Sequence, residues 1–349
     1  MTPVRFALIG AGAIARTHAD ALARAAGCEL AAVADPRPGA AAALADPAGC
    51  PAFDSAAALL ARGPAVDAAV VCTPPDSHED IVTRLVRAGV PVLCEKPFAP
   101  TPAAARRMAA AAARAGVPVT VAAKFRHTPD VAAAKRLLAA GSVGDVVLAE
   151  VSFTGRTDMR SRWNSDPRVS GGGVIADNAP HAVDLIRHLF GPLAAVHAVE
   201  GPRVWNLTVE DTARVFARTT SGVTADVDLS WGVGKELTWY LSVHGTAGHI
   251  QVGWRESRVR YAGGPWQALG AGYDKVAAFA AQAEDFARAV RGGATLTVTA
   301  DDAVAAVDAV AAAYRSLAAA DWHPVAPPAA DLARTPPPFA PAETEVARA

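Results

Sequence analysis

Short apolar segments alternate with alanine-rich amphipathic segments over the first third of the chain. Almost wholly apolar segments of this length are typical of strands buried on both faces of a parallel sheet. The predicted strands are Val4–Ile9, Leu30–Ala34, Ala68–Cys72, Val90–Cys94 and Val117–Val121. The predicted helices are Ile14–Ala26, Gly39–Ala45, Ser55–Ala61, Ser77–Ala88 and Thr101–Ala115. This alternation predicts a doubly wound α/β domain over residues 1–123.

The pattern changes after residue 123, where predicted strands follow one another with only tight turns between them. These strands are Val146–Thr154, Val209–Thr219, Val223–Trp231, Leu237–His244 and His249–Trp254. The predicted helices are Pro129–Ala140, Gly173–Leu189, Val276–Val290 and Asp301–Ala319. We therefore expect a second, α+β domain over residues 124–325, with a mostly antiparallel sheet and helices on one side. Residues 326–349 form a proline-rich tail without a periodic pattern.

The charge balance narrows the classes of partner. The 349 residues include 33 Lys and Arg against 34 Asp and Glu, a formal net charge of −1. Because there is no basic surplus, we expect neither nucleic acid nor an anionic membrane surface as a partner. Four cysteines without CxxC spacing, and an N-terminus that enters a strand directly, favour a cytoplasmic protein with reduced thiols.

A glycine-rich loop lies where the first predicted strand meets the first helix. It runs Gly10-Ala11-Gly12-Ala13-Ile14-Ala15. Gly10 permits the tight turn, and Gly12 lets the backbone approach a pyrophosphate. Backbone amides at the helix start, from Ala13 and Ile14, are suited to bind its negative charge. The spacing predicts a dinucleotide-binding loop.

Asp35 follows the second predicted strand, twenty residues beyond the end of this loop. That position suits a carboxylate that accepts hydrogen bonds from the adenosine ribose hydroxyls. A carboxylate there repels a 2′-phosphate, so the sequence favours NAD over NADP. Arg37, two residues later, is the one feature that favours NADP.

Two further strand ends point towards the same crevice, because ligands of an open parallel sheet bind at the carboxyl ends of its strands. The strand that ends at Cys72 continues into Thr73, Pro74 and His78. The strand that ends at Cys94 continues into Glu95 and Lys96. We expect these five residues to contact the cofactor, with Lys96 at the nicotinamide.

The segment after Gly171-Gly172-Gly173 carries the candidate proton-transfer groups. Asp177, His181, Asp184 and His188 recur at helical spacing on one stripe. Oxidation of a secondary alcohol needs a base with a pKa near the working pH, which an ordinary histidine has. His181 is the candidate base, Asp177 its partner and Lys96 the stabilising cation. Two alternatives remain open here: a structural core histidine, or a divalent metal held by the stripe.

The polar loop after the first strand of the second domain is a candidate substrate contact. Sugar rings are suited to an aromatic face, and phosphate or carboxylate groups to arginine. An extended loop places Arg160 and Arg162 on the same side. The predicted contacts are Asp158, Arg160, Arg162, Trp163 and Asn164, with Asn178 beside the catalytic group. A merely solvated loop is the alternative.

Together, the glycine loop, Thr73-Pro74-Pro75 with His78, Glu95-Lys96-Pro97, and the triple glycine that leads to Asp177 and His181 resemble the glucose–fructose oxidoreductase/inositol dehydrogenase (Gfo/Idh/MocA) family. The resemblance covers about residues 4–325. It implies a Rossmann domain, a second domain with a large open-faced sheet, and NAD(P)-dependent chemistry on sugars or cyclitols.

The resemblance also assigns Lys96, Asp177 and His181 as the catalytic group, and it implies substrate contacts near Lys124 and Arg126. One departure is Pro180, which precedes the histidine where many members have a nearby glycine. We expect it to change the shape of the pocket.

The sequence therefore predicts an NAD-dependent dehydrogenase that acts on a secondary alcohol of a sugar, a cyclitol or a derivative, with no metal. Two alternatives are a catalytically silent dinucleotide-binding regulator and an enzyme that recycles a tightly bound NAD. We expect a homodimer or homotetramer that pairs through the open sheet. The apolar residues predicted for this interface are Trp231, Trp239 and Leu241.

Overall fold

A computed structural model describes residues 2–325, so the predicted proline-rich tail lies outside the described residues. The described chain forms two sheets, one of six strands and one of nine. No helix within residues 2–325 combines the length and the apolar character needed to cross a membrane.

The first sheet is entirely parallel, with the strand order β3-β2-β1-β4-β5-β6. Its strands are β1 Val4–Ile9, β2 Cys28–Ala34, β3 Ala52–Phe53, β4 Ala68–Val71, β5 Val92–Cys94 and β6 Val119–Val121. Its helices are α1 Ala13–Leu22, α2 Ala40–Ala45, α3 Ala56–Arg62, α4 His78–Arg87 and α5 Pro102–Ala115. The doubly wound arrangement is as predicted, and only the two-residue β3 was missed. The order reverses between β1 and β4, which opens the ligand crevice there.

The second sheet has the order β14-β13-β12-β11-β7-β10-β9-β8-β15, and every neighbouring pair is antiparallel except β7 and β10. Its strands are β7 Val146–Thr154, β8 Leu193–Glu200, β9 Thr212–Thr219, β10 Thr224–Ser230, β11 Trp239–Gly245, β12 Gly248–Gly253, β13 Ser257–Tyr261, β14 Gln267–Gly270 and β15 His323–Pro324. The remaining helices are α6 Pro129–Ala139, α7 Pro167–Ser170, α8 Val174–Phe190, α9 Lys275–Val290 and α10 Ala300–Ala319.

Helices cover one face of this sheet and leave the other open. In β9, Ala213, Val215 and Ala217 are buried, whereas Arg214 and Arg218 on the opposite face are exposed. This alternation follows from the two-residue period of a strand with one buried face.

The apolar residues named above for the open face need correction. Trp231 and Leu241 are 4% and 0% exposed, because both lie in the core on the covered side. Trp239 is half-buried. The apolar residues that do remain exposed on the sheet include Leu148 of β7.

The last two long helices join the two sheets. Phe279 and Phe286 of α9 pack in the same core as Phe6 of β1. In α10, Ala303 and Val307 pack into the core of the first sheet, and later alanines of the helix pack under the second. The relative position of the two sheets is thus set by shared helices. The predicted domain boundary at residues 123–124 stays a prediction.

Candidate active site

The residues just before helix α8 pack too closely against other segments to carry side chains. A side chain at Gly172 would collide with the Tyr314 hydroxyl, and one at Gly173 with the backbone of Glu210. The Glu210 carboxylate accepts hydrogen bonds from the amides of Gly173 and Ile175, both at 3.0 Å, and from the Tyr314 hydroxyl at 2.7 Å. These bonds satisfy amides that the first turn of a helix leaves free. Glu210 and Tyr314 therefore fix where the candidate base lies.

Lys96 and Asp177 form an ion pair at the start of this helix. Lys96 Nζ donates to Asp177 Oδ1 at 2.6 Å and to the Asp177 carbonyl at 2.9 Å. Trp231 Nε1 donates to the other carboxylate oxygen, Oδ2, at 3.2 Å. The carboxylate is therefore held between an ammonium group and an indole. Lys96 has a full counter-charge in direct contact.

His181, one turn later, contacts a different lysine. Lys124 Nζ lies 3.0 Å from His181 Nε2, and the imidazole edge packs against the Phe125 ring at a centroid distance of 5.3 Å. Burial, followed by the charges of Lys124 and Lys96, holds the pKa of His181 well below its ordinary value. The imidazole is therefore neutral at physiological pH.

Both pairs line one cleft of about 450 Å³. Ile14 of the glycine loop closes one end, and Arg162, Asn178 and Trp254 form part of the wall. Asn178 Nδ2 also donates to the Phe153 carbonyl at 3.3 Å. Ammonium, carboxylate, imidazole and amide groups thus surround a space next to the predicted dinucleotide loop. The chemistry of this set suits a polyhydroxylated ligand.

A second, larger groove of about 740 Å³ lies at the carboxyl ends of the first sheet. Gly10 adopts a φ of +96°, and a side chain there would come within 2.9 Å of the Cys72 backbone. A side chain at Gly12 would meet nothing within 4 Å, so that position faces open space. Of the predicted cofactor contacts, the groove is lined by Gly10, Gly12, Ala13, Asp35, Arg37, Thr73 and Pro74. Its shape fits an extended dinucleotide.

Asp35 is buried at the rim of this groove. Its carboxylate accepts a hydrogen bond from the Ala11 amide at 2.7 Å and two from the Arg37 guanidinium, at 2.9 and 2.7 Å. The hydrogen bonds from Arg37 lower the pKa of Asp35 to about 2, although burial opposes them. The residue is therefore a permanent anion, and it occupies the arginine that would otherwise be free to bind a phosphate.

His78 and Glu95, both predicted to contact the cofactor, lie behind the two clefts instead. His78 is fully buried, with Nε2 2.8 Å from the Thr73 carbonyl and Nδ1 3.1 Å from the Pro97 carbonyl. It holds the two strand-end loops together. The Glu95 carboxylate contacts His18 Nε2 at 2.9 Å and accepts from the Lys96 amide at 3.1 Å. Burial alone would raise the pKa of Glu95, but the hydrogen bond from His18 and nearby cations give a net lowering.

Arg126 is also placed differently from the prediction. It lies inside the protein, where it pairs with Asp184 at 2.6 Å and with Asp302 at 3.0 Å. Two residues earlier, Lys124 faces the cleft. The short helical turn over residues 124–127 directs the two side chains to opposite sides, so of these two only Lys124 lines the cleft.

The side chains of the predicted substrate loop also differ in whether they line the cleft. The chain turns at Arg160 and Ser161, so Arg160 does not share a side with Arg162 as an extended loop would require. Arg160 pairs with Asp158 at 2.6 Å, and both are exposed. Arg162 lines the 450 Å³ cleft, whereas Trp163 lines the dinucleotide groove and Asn164 is buried.

The stripe of α8 faces a row of basic side chains. Asp177 faces Lys96, His181 faces Lys124, and Asp184 faces Arg126. His188 Nδ1 lies 3.3 Å from Lys135 Nζ. Among residues 2–325, no group of three or more His, Cys, Asp or Glu side chains is arranged to hold a metal ion.

Pro180 is buried inside α8, and the helix continues to Phe190. The proline lines an apolar cavity of about 280 Å³ that Phe98 and Val307 also line. It thus shapes the side of the helix away from the 450 Å³ cleft, which Pro180 does not line.

Several residues of the site were not predicted from the sequence. Glu210, Tyr314 and Trp231 act across long sequence separations, and no local pattern marks them. For Lys124, the resemblance indicated a place near the substrate but not its contact with His181.

Comparison with known proteins gives family and fold. Residues 4–123 match the model GFO_IDH_MocA, described as an oxidoreductase family with an NAD-binding Rossmann fold. Residues 131–251 match the GFO/IDH/MocA C-terminal domain.

Among curated relatives, inositol 2-dehydrogenase of Acidothermus cellulolyticus is 31% identical, over 90% of this chain and 92% of that protein. Inositol 2-dehydrogenase of Rhizobium meliloti is 29% identical, over 90% of this chain and 97% of that protein. Among solved structures, levoglucosan dehydrogenase in complex with NADH and levoglucosan gives a TM-score of 0.86 at 22% identity. That alignment covers 93% of this chain and all of the other, and it supports the fold.

The Asp35 geometry predicts the preference between the two dinucleotides. Asp35→Ala removes the ribose acceptor and releases Arg37 to meet a 2′-phosphate. Hydrogen bonds to a charged group contribute about 1.5–3 kcal/mol, so NAD affinity should fall about tenfold or more and NADP affinity should rise. Calorimetric Kd values for both dinucleotides check this, with Asp20→Ala on the exposed side of α1 as the control. An unchanged NAD/NADP ratio in Asp35→Ala would refute the assignment.

Proposed function

The chain belongs to the Gfo/Idh/MocA family of oxidoreductases with an NAD-binding Rossmann domain, and from that premise we propose that it oxidises a secondary alcohol of a sugar or cyclitol. The family, the fold class and the NAD cofactor that the sequence predicts are thereby confirmed. The observation that carries the proposal is one polar cleft, next to the glycine loop, that holds both Lys96–Asp177 and Lys124–His181.

The relatives support the substrate class. Two of them are named inositol 2-dehydrogenase, and a similar structure is that of levoglucosan dehydrogenase. Inositol and levoglucosan share a ring that carries several secondary hydroxyls. The cleft suits such a ring, because it combines hydrogen-bonding groups with the aromatic faces of Trp254 and Tyr273.

In this proposal the 740 Å³ groove holds the coenzyme. The amides of Ala13 and Ile14 would bind its pyrophosphate, Asp35 its adenosine ribose, and Thr73 with Pro74 its nicotinamide half. When bound, NAD supplies the hydride acceptor. Asp35 is charged and buried, and Gly12 faces open space in the groove, so the residues present fit this ligand.

The chain's own groups orient and deprotonate the alcohol. Lys96, kept charged by Asp177, donates a hydrogen bond to the hydroxyl oxygen and stabilises the negative charge that develops there. Neutral His181 accepts the hydroxyl proton. Burial of both groups keeps bulk water from competing for these contacts.

Charge in the cleft favours a hydroxylated or anionic ring. Among residues 2–325, Lys96, Arg162 and Lys275 line it, and Asp177 is the one carboxylate that does. We assign the substrate-facing role in the loop to Arg162, since Arg160 is occupied by Asp158.

We further propose that the open face of the nine-stranded sheet pairs with a second copy in a homodimer or homotetramer. Leu148 and Phe216 lie on this face between charged neighbours. A mixed apolar and charged surface of this kind suits a subunit interface. Light scattering should return a multiple of the protomer mass, and a single-protomer mass at micromolar concentration would overturn this proposal.

We also place the protein in a reducing compartment, the cytoplasm. All four cysteines are unpaired, and Cys72 and Cys94 are buried in the first sheet. Burial raises the pKa of each of these two thiols well above its ordinary value, which leaves them unreactive.

The proposed chemistry is tested with His181→Ala. General acid–base catalysis contributes about 10²–10⁴-fold, so kcat should fall on that order while the Kd of NAD is unchanged. The assay is NADH formation with inositols, sugars, sugar acids, nucleotide sugars and aminoglycosides. His188→Ala, on the same helix stripe but outside the cleft, is the matched control. Near-normal turnover in His181→Ala, or loss of wild-type activity on addition of a chelator, would discard the assignment.

The two arginines of the loop give a second, internally controlled test. Arg162→Ala should raise KM about tenfold for an anionic or polyhydroxylated substrate, because one charge-assisted bond contributes about 1.5–3 kcal/mol. A smaller effect on kcat is expected if the bond is equally strong in the transition state. Arg160→Ala, two residues away, should leave both constants unchanged. Unchanged kinetics in both variants would show that the loop is only solvated surface, and an equal rise of KM in both would contradict the choice of Arg162 over Arg160.

A further inference from the structure

The cleft contains two lysines with different partners. Lys96 Nζ has the Asp177 carboxylate at 2.6 Å. Lys124 Nζ has the imidazole of His181 at 3.0 Å, and no carboxylate of residues 2–325 lies within ion-pair distance of it. An ammonium group without a counter-charge in a buried site is costly, and loss of its proton relieves that cost. The two lysines are therefore suited to different protonation states.

The surroundings of Lys124 place its two protonation states close in free energy. The charged and titratable groups that face it from the neighbouring elements are Glu95, Lys96, Asp177, His181 and Lys275. Burial, followed by the charge of Lys96, lowers the pKa of Lys124 to about 7, although Glu95 and Asp177 oppose this. The rings of Phe125 and Phe279 lie 5.1 and 5.7 Å from Nζ and stabilise the cation.

His181 alone is poorly suited to keep the substrate proton. Its ring is buried between aromatic side chains, and its nearest charged neighbours are cations. An imidazolium there would have no counter-charge in contact. A proton that arrives at the ring must move on, and Lys124 is the group in direct contact with Nε2.

We propose that Lys124 is the final acceptor of the substrate's hydroxyl proton, which reaches it through His181. This inference rests on the proposed oxidation of a secondary alcohol. The hydroxyl O–H bond breaks, and the ring of His181 gains that proton and releases its Nε2 proton across the 3.0 Å contact. A third N–H bond then forms at Lys124 Nζ. The hydride on the same carbon, which carries both electrons, would pass to the bound NAD, so the alcohol is oxidised and the neutral amine becomes an ammonium.

A direct measurement of the Lys124 amine does not depend on turnover. Competitive acetylation of the folded protein at a series of pH values, read by mass spectrometry, gives the titration of each reactive lysine. Lys124 should become reactive around pH 7, whereas Lys135 should follow an exposed lysine more closely. Titration of Lys124 above about pH 9 would overturn the proposal, whether or not the protein oxidises sugars.

Kinetics provide the second measurement. In the wild type, kcat for alcohol oxidation should rise with pH through about 7, because only the neutral amine accepts the proton. Lys124→Met removes the amine, and Lys124→Arg keeps a cation that does not deprotonate in this range. Both should lower kcat at pH 7 by about 10²-fold and lose the rise near pH 7, with the Kd of NAD unchanged.

The matched control is Lys135→Met. It removes the other lysine that contacts a histidine of α8, outside the cleft, and should leave the pH profile intact. If Lys124→Arg retains the wild-type profile, Lys124 only supplies charge and the proposal is wrong. If no polyol yields NADH, the proposed function fails, and the acetylation titration alone decides the protonation state of Lys124.

Discussion

The row of contacts between one stripe of α8 and four basic side chains is the constraint on which the site depends. Its third member, Arg126 with Asp184 and Asp302, is buried and links the segment after β6 to both α8 and α10. Loss of one partner from such a buried pair typically costs about 3–5 kcal/mol, since the other charge remains uncompensated. This fixed point sets the rotation of α8, and the rotation decides which residues face the cleft. Asp177 and His181 therefore meet the lysines at the carboxyl ends of the first sheet.

The partner of each basic group then determines its chemistry. Lys96 lies against a carboxylate, and the proposed oxidation calls for a cation there as charge develops on oxygen. Lys124 with a neutral ring loses its proton readily, which the reaction needs at the other end of the transfer. Two identical side chains in one cleft thus acquire opposite roles from contacts on one helix.

The sequence predicted the parts of the molecule that local rules govern. Apolar runs gave five of the strands of the first sheet, and the spacing of Asp177 and His181 placed both on one helical stripe. Strand β8 was missed because many of its residues are alanines and because the strand follows a helix closely. Its pattern therefore resembles neither a strand nor a loop. The short strand β13 was missed because it carries two arginines in five residues. Arg126 and Arg160 lie away from the 450 Å³ cleft for another reason: a local turn sets the direction of each side chain, and periodicity does not report turns.

The remaining determinants of the site are contacts between distant segments, and they explain why the geometry is rigid. Gly172 and Gly173 lie so close to Tyr314 and Glu210 that the first turn of α8 has no freedom to shift. Tyr314 belongs to α10, which packs under both sheets, so the start of α8 is tied to the same helix that joins the dinucleotide groove to the second sheet. The distance from the groove to His181 is therefore set by core packing and not by a loop. A site built in this way holds its proton-transfer groups in place before the substrate arrives, which lowers the reorganisation that the reaction requires.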